Sequence, residues 1–331
     1  MFEIPVTLFI FKRTSTLTKI IGRINEISPR KVYLIADGGR TDEEHIDCIK
    51  CRKYAESLFS PEIELIKNYS DKNRGVYRNI GLGAMWVFER EEQAIFIEDD
   101  NLPAISFFPY CEELLQKYKD SESVLWICGT NYLGTYDSDF SYVFTKHMLP
   151  CGWASWASKY TRFYDGNLKS LKDSNKFSNF KNSYNGYGIR SKILYLSQKY
   201  SVERTKYLVD NHISRASWDY QMCFSVRANC MYGISPCKNQ INNIGVDEFS
   251  IHGGNVNKGA IEDFCNVDEI PLAFPLKHPE TIAIDRIYEK KITKILTRNW
   301  FGPILHTIAK PIKKLMGLNE YDSFKQWLKN R

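Results

Sequence analysis

Three consecutive carboxylates, Glu98, Asp99 and Asp100, directly follow the apolar run of residues 94–97. The run has the length and composition of a buried strand, and a buried strand cannot keep three unpaired charges in the core. The acids are therefore expected at the carboxyl end of the strand, where open α/β sheets bind their ligands. Carboxylate oxygens suit a hard cation such as Mn²⁺ or Mg²⁺. The alternative is a solvated acidic turn.

Further polar clusters stand where the other strands of the first half are expected to end. Arg13 follows the apolar run 6–11, beside the start of a helix, and is well placed to hold a phosphate. Asp37 precedes two glycines that permit a tight turn, and its carboxylate can accept from a base or a ribose. Arg74 and Arg78 flank the start of a helix after the third strand. Each of these residues, taken alone, is also explained as a surface or helix-capping residue. Because all of them are expected at the same edge of one sheet, together they indicate a single crevice.

Three aromatic or titratable residues of the second half are further candidates. Asp219 lies between Trp218 and Tyr220. A carboxylate desolvated by aromatic rings has a raised pKa and is a competent general base, although an Asp at this position also caps a helix. Trp153 would stack on a sugar face or pack in the core. His252 lies in a Gly-rich loop, where it is either one more ligand for the cation or simply exposed.

The elements that position these residues alternate between strand and helix in the first half of the chain. Strands joined by helices of this length predict parallel pairing with right-handed crossovers. The predicted fold class is α/β, a Rossmann-like mixed, mainly parallel sheet flanked by helices. After about residue 132 the alternation gives way to short aromatic and Gly/Ser/Asn-rich pieces. The predicted strands are 6–11, 32–36, 63–67, 94–97, 124–128 and 232–235, and the predicted helices are 14–27, 43–59, 76–92, 105–119 and 218–229.

Composition excludes several classes of protein. The 331 residues contain no apolar run of about 18, so no transmembrane helix is expected, and the N-terminus is interpreted as a core strand rather than a signal peptide. The nine cysteines show no paired metal-binding spacing, which favours reduced, cytosolic thiols.

The positive charge is concentrated in residues 285–331. This tail holds eleven Lys and Arg against four Asp and Glu, so that the rest of the chain is close to neutral and no nucleic-acid partner is expected. Apolar residues recur at helical spacing between the lysines, which is typical of helices that lie on an anionic membrane surface. The alternative is that they pack on the catalytic domain or on a second subunit.

The ordered set of strand-end motifs resembles the GT-A fold nucleotide-sugar glycosyltransferases, over roughly residues 5–257. The set comprises a strand-end Arg, Asp-Gly, a Glu-Asp-Asp segment of the DXD type, Gly-Trp, Trp-Asp and a late loop His. The order is most similar to that of the N-acetylglucosaminyltransferase I type. It also resembles bacterial transferases that build surface polysaccharides, some of them described as hemolysin-like.

The resemblance implies a role for each motif residue. Asp100 would ligate Mn²⁺ (or Mg²⁺), Asp99 would contact the ribose, and Glu98 would face the donor sugar. Asp219 would be the catalytic base, and His252 a donor-side or metal-side contact on a closing loop. The other residues expected at the nucleotide and donor sugar are Phe11, Arg13 at the phosphates, Asp37 at the nucleobase, Trp153 and Trp218, to which we add Arg74 and Arg78.

The resemblance also implies an activity. The expected enzyme is an inverting hexosyl- or N-acetylhexosaminyltransferase that moves a sugar from a UDP-sugar to a saccharide or lipid-linked saccharide acceptor, in bacterial surface polysaccharide synthesis. Residues 1–131 would bind the nucleotide sugar, 132–284 would form the acceptor and catalytic half, and 285–331 the tail. The expected location is cytoplasmic, with a peripheral position on the inner face of the cell membrane as a further expectation. The alternative is a non-catalytic sugar-binding or membrane-active (hemolysin-like) protein.

Overall fold

A mixed sheet organises the fold. The computed structural model describes residues 1–186, 188–245, 265, 267–298 and 309–321, and within these ranges eight strands pair in the order β3-β2-β1-β4-β8-β6-β9-β7. A separate antiparallel pair joins β5 to β10. The strands are β1 Val6–Ile10, β2 Lys31–Ala36, β3 Glu64–Tyr69, β4 Gln93–Glu98, β5 Asn101–Pro103, β6 Val124–Cys128, β7 Tyr142–Thr145, β8 Trp153–Trp156, β9 Tyr232–Pro236 and β10 Ile241–Asn243.

The first four strands run parallel, and their carboxyl ends therefore meet at one edge. β1 pairs with both β2 and β4, and β2 pairs with β3, all in parallel. β8 runs antiparallel to its neighbours β4 and β6, while β6 and β9 are parallel and β7 is antiparallel to β9. The predicted fold class, an α/β fold with a mixed, mainly parallel sheet flanked by helices, is confirmed.

Helices cover both faces of the sheet. α1 buries Leu17, Ile20, Ile21 and Ile24, the predicted stripe, because this spacing keeps side chains on one side of a helix. None of the helices in the described ranges is long and apolar enough to cross a membrane. The helices are α1 Leu17–Ile27, α2 Asp42–Leu58, α3 Leu82–Phe88, α4 Phe107–Lys117, α5 Ala157–Phe163, α6 Ser174–Asn182, α7 Ile189–Asp210, α8 Asp219–Ala228 and α9 Arg286–Leu296.

The helix predicted over residues 76–92 is interrupted. A π-helical turn, Tyr77–Gly81, precedes α3. Tyr164 crowds the turn from outside, since a Cβ on Gly81 would lie 2.4 Å from its hydroxyl oxygen. The backbone amide of Tyr77 also donates to the carbonyl of Ala216 at 3.1 Å. π-helical turns inside helices are frequent at functional sites. The apolar periodicity that predicted the helix over residues 76–92 does not reveal this turn.

The 22-residue helix α7 is absent from the sequence-based prediction. Its buried positions include Ser191 and Thr205 beside Leu194, Val202 and Leu208, so no clean apolar stripe marks the buried side. The four-residue strand β8, with the sequence WASW, is equally unmarked, because all four side chains are buried and none alternates with a solvent-facing residue.

Helix α9, the first part of the basic tail, packs into the body of the protein. Tyr288 and Ile292 are fully buried, and the hydroxyl groups of Tyr288 and Ser235 lie 2.6 Å apart. Tyr136 donates a hydrogen bond to the Asp285 carboxylate at 2.8 Å. For this helix the packing alternative therefore holds.

A buried charged network fixes α9 to the sheet. Nε2 of His147 lies 3.2 Å from a carboxylate oxygen of Glu289, and Nη2 of Arg227 lies 3.4 Å from Nδ1 of His147. The hydroxyl of Thr145 donates to Glu289 at 2.6 Å. Burial lowers the pKa of His147 below its ordinary 6.5. Burial opposes ionisation of Glu289, but His147, Arg227 and the hydrogen bonds it accepts hold its pKa below 4.5.

Acid is expected to destabilise the protein through this network. Between the ordinary pKa of each group and its depressed folded value, the unfolded chain binds more protons, so the free energy of unfolding is fully present above pH 6.5 and falls as the pH is lowered. Urea unfolding between pH 7.5 and pH 4 measures this slope. His147→Gln should flatten the slope just below pH 6.5, whereas the exposed control His212→Asn should leave it unchanged. An equal slope in wild type and His147→Gln would contradict the assignment.

Candidate functional site

The carboxyl ends of β1 and β4 are tied together by Asp99. One carboxylate oxygen of Asp99 accepts from Nη1 of Arg13 at 2.9 Å, and the other accepts from the backbone amide of Phe11 at 3.1 Å. The hydroxyl of Thr16 donates to the Asp99 carbonyl. These contacts follow from the strand register, in which Phe9 pairs with Glu98 and the residues after both strands meet. The predicted acids and the predicted Arg are therefore brought together.

Asp100 approaches the same guanidinium nitrogen of Arg13 as Asp99 does. Its side chain is 26% exposed, and one oxygen lies 3.5 Å from Nη1 of Arg13. The amide of Ile244 donates to the Asp100 carbonyl at 2.8 Å, and a Cβ on Gly245 would lie 2.5 Å from that of Asp100. The β5–β10 pair thus brings the chain close over Asp100, and the predicted ligand His252 lies outside the described residues.

The three acids crowd one guanidinium. Burial, reinforced by the charges of Asp100, Asp99 and Asp219, raises the pKa of Glu98 well above its ordinary value. Burial and the charge of Asp100 raise the pKa of Asp99 to about 7, although Arg13 acts in the opposite direction. Ionisation of all three acids would therefore place more negative charge here than Arg13 alone balances.

This excess of charge fits a divalent cation. The donors are carboxylate oxygens, the ligands that Mg²⁺ and Mn²⁺ prefer. In the described ranges no three His, Cys, Asp or Glu residues are grouped so that they could hold a metal alone. A cation that takes one or two ligands from the protein and the rest from phosphate and water is compatible with that count. Asp100, as the more exposed acid, is the residue best placed to contribute.

Asp37, directly after β2, holds the turn at residues 73–75 that follows β3. One oxygen of its carboxylate accepts from the amides of Gly38 at 2.9 Å and Arg74 at 2.6 Å. The other accepts from the side chain of Asn73 at 3.2 Å and from the amide of Gly75 at 2.9 Å. A carboxylate has about four acceptor positions, so in this conformation none is left for a nucleobase.

Arg74 and Arg78 differ in their surroundings. The guanidinium of Arg74 donates to the side chains of Asn68 at 3.2 Å and Asn79 at 2.8 Å, and burial lowers its pKa. Arg78 is exposed, and its Nη2 lies 3.2 Å from Nδ1 of His212. The structure therefore places Arg74 inside the turn that Asp37 holds and Arg78 at the surface.

Asp219 lies in the first turn of α8, on the same side as the acids of β4. Its charge contributes to the raised pKa of Glu98. The amide of Tyr220 donates to its carboxylate at 3.0 Å. This contact to the next residue is not a helix cap, because Trp218 occupies the N-cap position and α8 has no side-chain cap hydrogen bond. The preceding carbonyl, that of Trp218, accepts from the hydroxyl of Tyr164 at 3.2 Å, which fixes the backbone that presents the carboxylate.

Trp153 and Trp218 belong to a buried aromatic stack. They are 1% and 3% exposed. The Trp153 ring lies 3.9 Å from Phe96, 4.3 Å from Trp126 and 5.6 Å from Trp218, measured between ring centroids. In this conformation both indoles pack in the core against other rings, so neither presents an open face to a sugar.

Two asparagines complete the site and were not predicted. Asn101 donates to the Asp100 carboxylate, and its side-chain oxygen accepts from the Gly152 amide at 2.9 Å. Asn73 holds the second oxygen of Asp37. Each stands next to a predicted residue in the sequence, but an amide carries no charge that would distinguish it from an ordinary turn residue.

Comparisons with known proteins give no family assignment. No protein-family model and no curated protein matches the chain. A UDP-glucose pyrophosphorylase complexed with UDP-glucose is 11% identical, with 73% of this chain and 94% of that chain covered and a TM-score of 0.37. The mannosyltransferase PcManGT from Pyrobaculum calidifontis, in complex with GDP-Man and Mn²⁺, is 14% identical, with coverages of 68% and 69% and a TM-score of 0.35. At these TM-scores the matches carry no argument about this chain.

Replacing Gly75 is expected to lower the free energy of unfolding. Its φ is +80°, and a Cβ would lie 2.2 Å from the carbonyl oxygen of Ser214. Gly75→Ala should therefore cost about 3 kcal/mol of unfolding free energy, from strain and collision together. Gly186→Ala is the matched control, since φ is +93° but nothing lies within 4 Å; it should cost about 1 kcal/mol. Equal losses in urea unfolding would show that the contact with Ser214 is unimportant.

Proposed function

We propose that this protein is a metal-dependent, inverting glycosyltransferase that moves a sugar from a nucleoside diphosphate sugar, with UDP as the expected nucleotide, to a saccharide acceptor. The expected class is hexosyl- or N-acetylhexosaminyltransferase, and the expected setting is bacterial surface polysaccharide synthesis with a free or lipid-linked saccharide as acceptor. One observation carries the proposal: Arg13, the three acids of β4 and Asp219 converge at the carboxyl edge of one sheet.

The donor would lie across this edge. Arg13, which pairs with Asp99 and Asp100, would contact the phosphate oxygens of a diphosphate bound beside these acids. Asp100 would hold Mn²⁺ or Mg²⁺, with His252 as a further candidate ligand. When bound, the cation would supply Lewis-acid neutralisation of the charge that develops on the leaving diphosphate. Asp99 would stand at the ribose and Glu98 at the donor sugar.

Asp37 enters the proposal as the residue that shapes the nucleobase end. Its carboxylate holds the turn that contains Asn73 and Arg74. That turn, rather than the carboxylate alone, would then form the surface against which the base lies. Phe11 stands at the entrance, with the guanidinium of Arg40 5.7 Å from its ring centroid. Trp153 and Trp218 would support the sugar pocket from below.

Asp219 would act as the general base. It would take the proton of the acceptor hydroxyl while that oxygen forms a bond to the anomeric carbon. The bond from the anomeric carbon to the phosphate oxygen breaks, and the nucleoside diphosphate leaves with its electron pair. A single base opposite the leaving group predicts inversion at the anomeric carbon.

Nucleotide binding tests the donor site. We expect calorimetry with a panel of nucleoside diphosphates to detect Mn²⁺-dependent binding of one of them, UDP by this proposal. In Asp100→Ala, the affinity with Mn²⁺ should fall to the level that chelator gives for the wild type, because the cation loses its protein ligand. Asp120→Ala, on an exposed turn, is the matched control. Unchanged affinity in Asp100→Ala would remove Asp100 from the metal site, and binding of none of the nucleotides would overturn the proposal.

The base is tested by turnover with water as the acceptor. Asp219→Asn should slow the release of the nucleoside diphosphate from its sugar by about 10²–10⁴-fold, with nucleotide affinity nearly intact. The exposed Asp139→Asn is the control and should turn over normally. If Asp219→Asn kept most of the activity, another residue would be the base.

A further inference from the structure

Helix α9 has two faces of opposite character. Its inner face, with Tyr288 and Ile292, is buried in the body. Its outer face carries a line of cations at intervals of four residues, which places them on one side of the helix over about 18 Å. We call these residues the basic stripe; they are Arg286, Lys290, Lys294 and, just past the end of the helix, Arg298.

The basic stripe is exposed, and the acids of its own helix are turned away from it. Asp285 caps the helix by accepting from the amides of Ile287 and Tyr288 at 2.9 Å. Glu289 points inward to the His147 network. Among the described residues no carboxylate forms an ion pair with Lys290 or Lys294. Lys290 and Lys294 are therefore exposed cations without a carboxylate partner in the described part of the chain.

Exposed aliphatic side chains occur both on α9 and in the later part of the tail. Ile287, beside the stripe, is 63% exposed. In the helical segment 309–315, Leu315 is 89% exposed and Ile312 48% exposed, next to the exposed Lys314.

The segment that carries Leu315 is itself held to the body. The ring of Tyr321 packs against Tyr200 and Tyr207 of α7, with ring centroids 5.7 Å and 5.3 Å apart. Lys310 pairs with Glu320 at 2.6 Å, and Nζ of Lys313 donates to the Glu320 carbonyl at 2.8 Å. The anchored side of the segment thus leaves Leu315 directed outward.

We propose that the basic stripe and the exposed aliphatic residues of segment 309–316 dock the protein on an anionic phospholipid bilayer. The cations match the negative surface of such a bilayer, and the aliphatic side chains enter its interfacial layer. A soluble polyanion would use the cations alone and would leave Leu315 and Ile312 without a partner. Within residues 285–298, the buried inner side of α9 restricts the docking surface to the outer positions of the helix.

Vesicle sedimentation of the full chain tests the proposal without nucleotide or sugar, so its outcome is independent of the transferase activity. Vesicles of phosphatidylcholine with one-quarter phosphatidylglycerol should bind the wild type, and vesicles of phosphatidylcholine alone should bind much more weakly. Each cation near an anionic bilayer contributes about fivefold to the partition constant. Lys290→Glu/Lys294→Glu should therefore lower binding by about 25-fold or more, and added salt should lower wild-type binding.

Matched variants distinguish the effect of the basic stripe on vesicle binding from the effects of net charge and of exposed hydrophobic residues elsewhere. Lys19→Glu/Lys53→Glu makes the same charge change on exposed positions of α1 and α2 and should bind like the wild type. Leu315→Ser should weaken binding by about tenfold, whereas Ile46→Ser, at a 54% exposed position of α2, should not. Retained binding in the Lys290/Lys294 variant would overturn the proposal. So would a wild type that binds soluble polyglutamate but not the anionic vesicles.

Discussion

The balance of charge around Arg13 is the constraint on which the rest of the candidate site depends. One guanidinium faces Asp99 and Asp100, with Glu98 one residue away, and the pKa of Asp99 is raised to about 7 despite it. Such a cluster would separate if the backbone allowed it, because like charges repel. It does not separate because Asp99 is held by the Phe11 amide and by Thr16, and because parallel pairing fixes β1 beside β4. The sheet therefore keeps the carboxylates close together, and a bound cation would reduce the repulsion between them.

The same reasoning connects the two halves of the chain. Asp37, at the end of β2, holds the turn that contains Gly75, and that glycine packs against Ser214 in the approach to α8. The first turn of α8 carries Asp219. A displacement of the turn that Asp37 holds would therefore be transmitted through backbone contacts to the segment that carries Asp219. The carboxylates of Asp37 and Asp219 are thus connected through a continuous series of contacts.

Much of the secondary structure of the first half could be predicted, because the pattern of apolar residues there matches the pattern of burial. Leu17, Ile20, Ile21 and Ile24 mark the inner side of α1, and the parallel order of strands places Arg13, Asp37 and the β4 acids at one edge. The remainder depends on contacts between distant segments. Helix α7 was missed because Ser191 and Thr205 lie on its buried side. The saturation of Asp37 by backbone amides requires the turn at residues 73–75 to approach it, which no local pattern indicates. Trp153 was left open between sugar stacking and core packing, and Trp218 was expected at the donor sugar. Only the packing of distant segments shows that both are buried.

The place of β8 in the sheet has a consequence for synthesis. β8 fills the position between β4 and β6, although it follows β6 in the chain. While the protein emerges from the ribosome, the inner edge of β4 therefore remains without its partner until residue 156 is available, and β6 gains its other neighbour only when β9 has been made. An unpaired edge in the middle of an apolar sheet is a surface prone to wrong pairing. The sheet of the first half therefore cannot be completed until β8, a strand of the second half, has been synthesised.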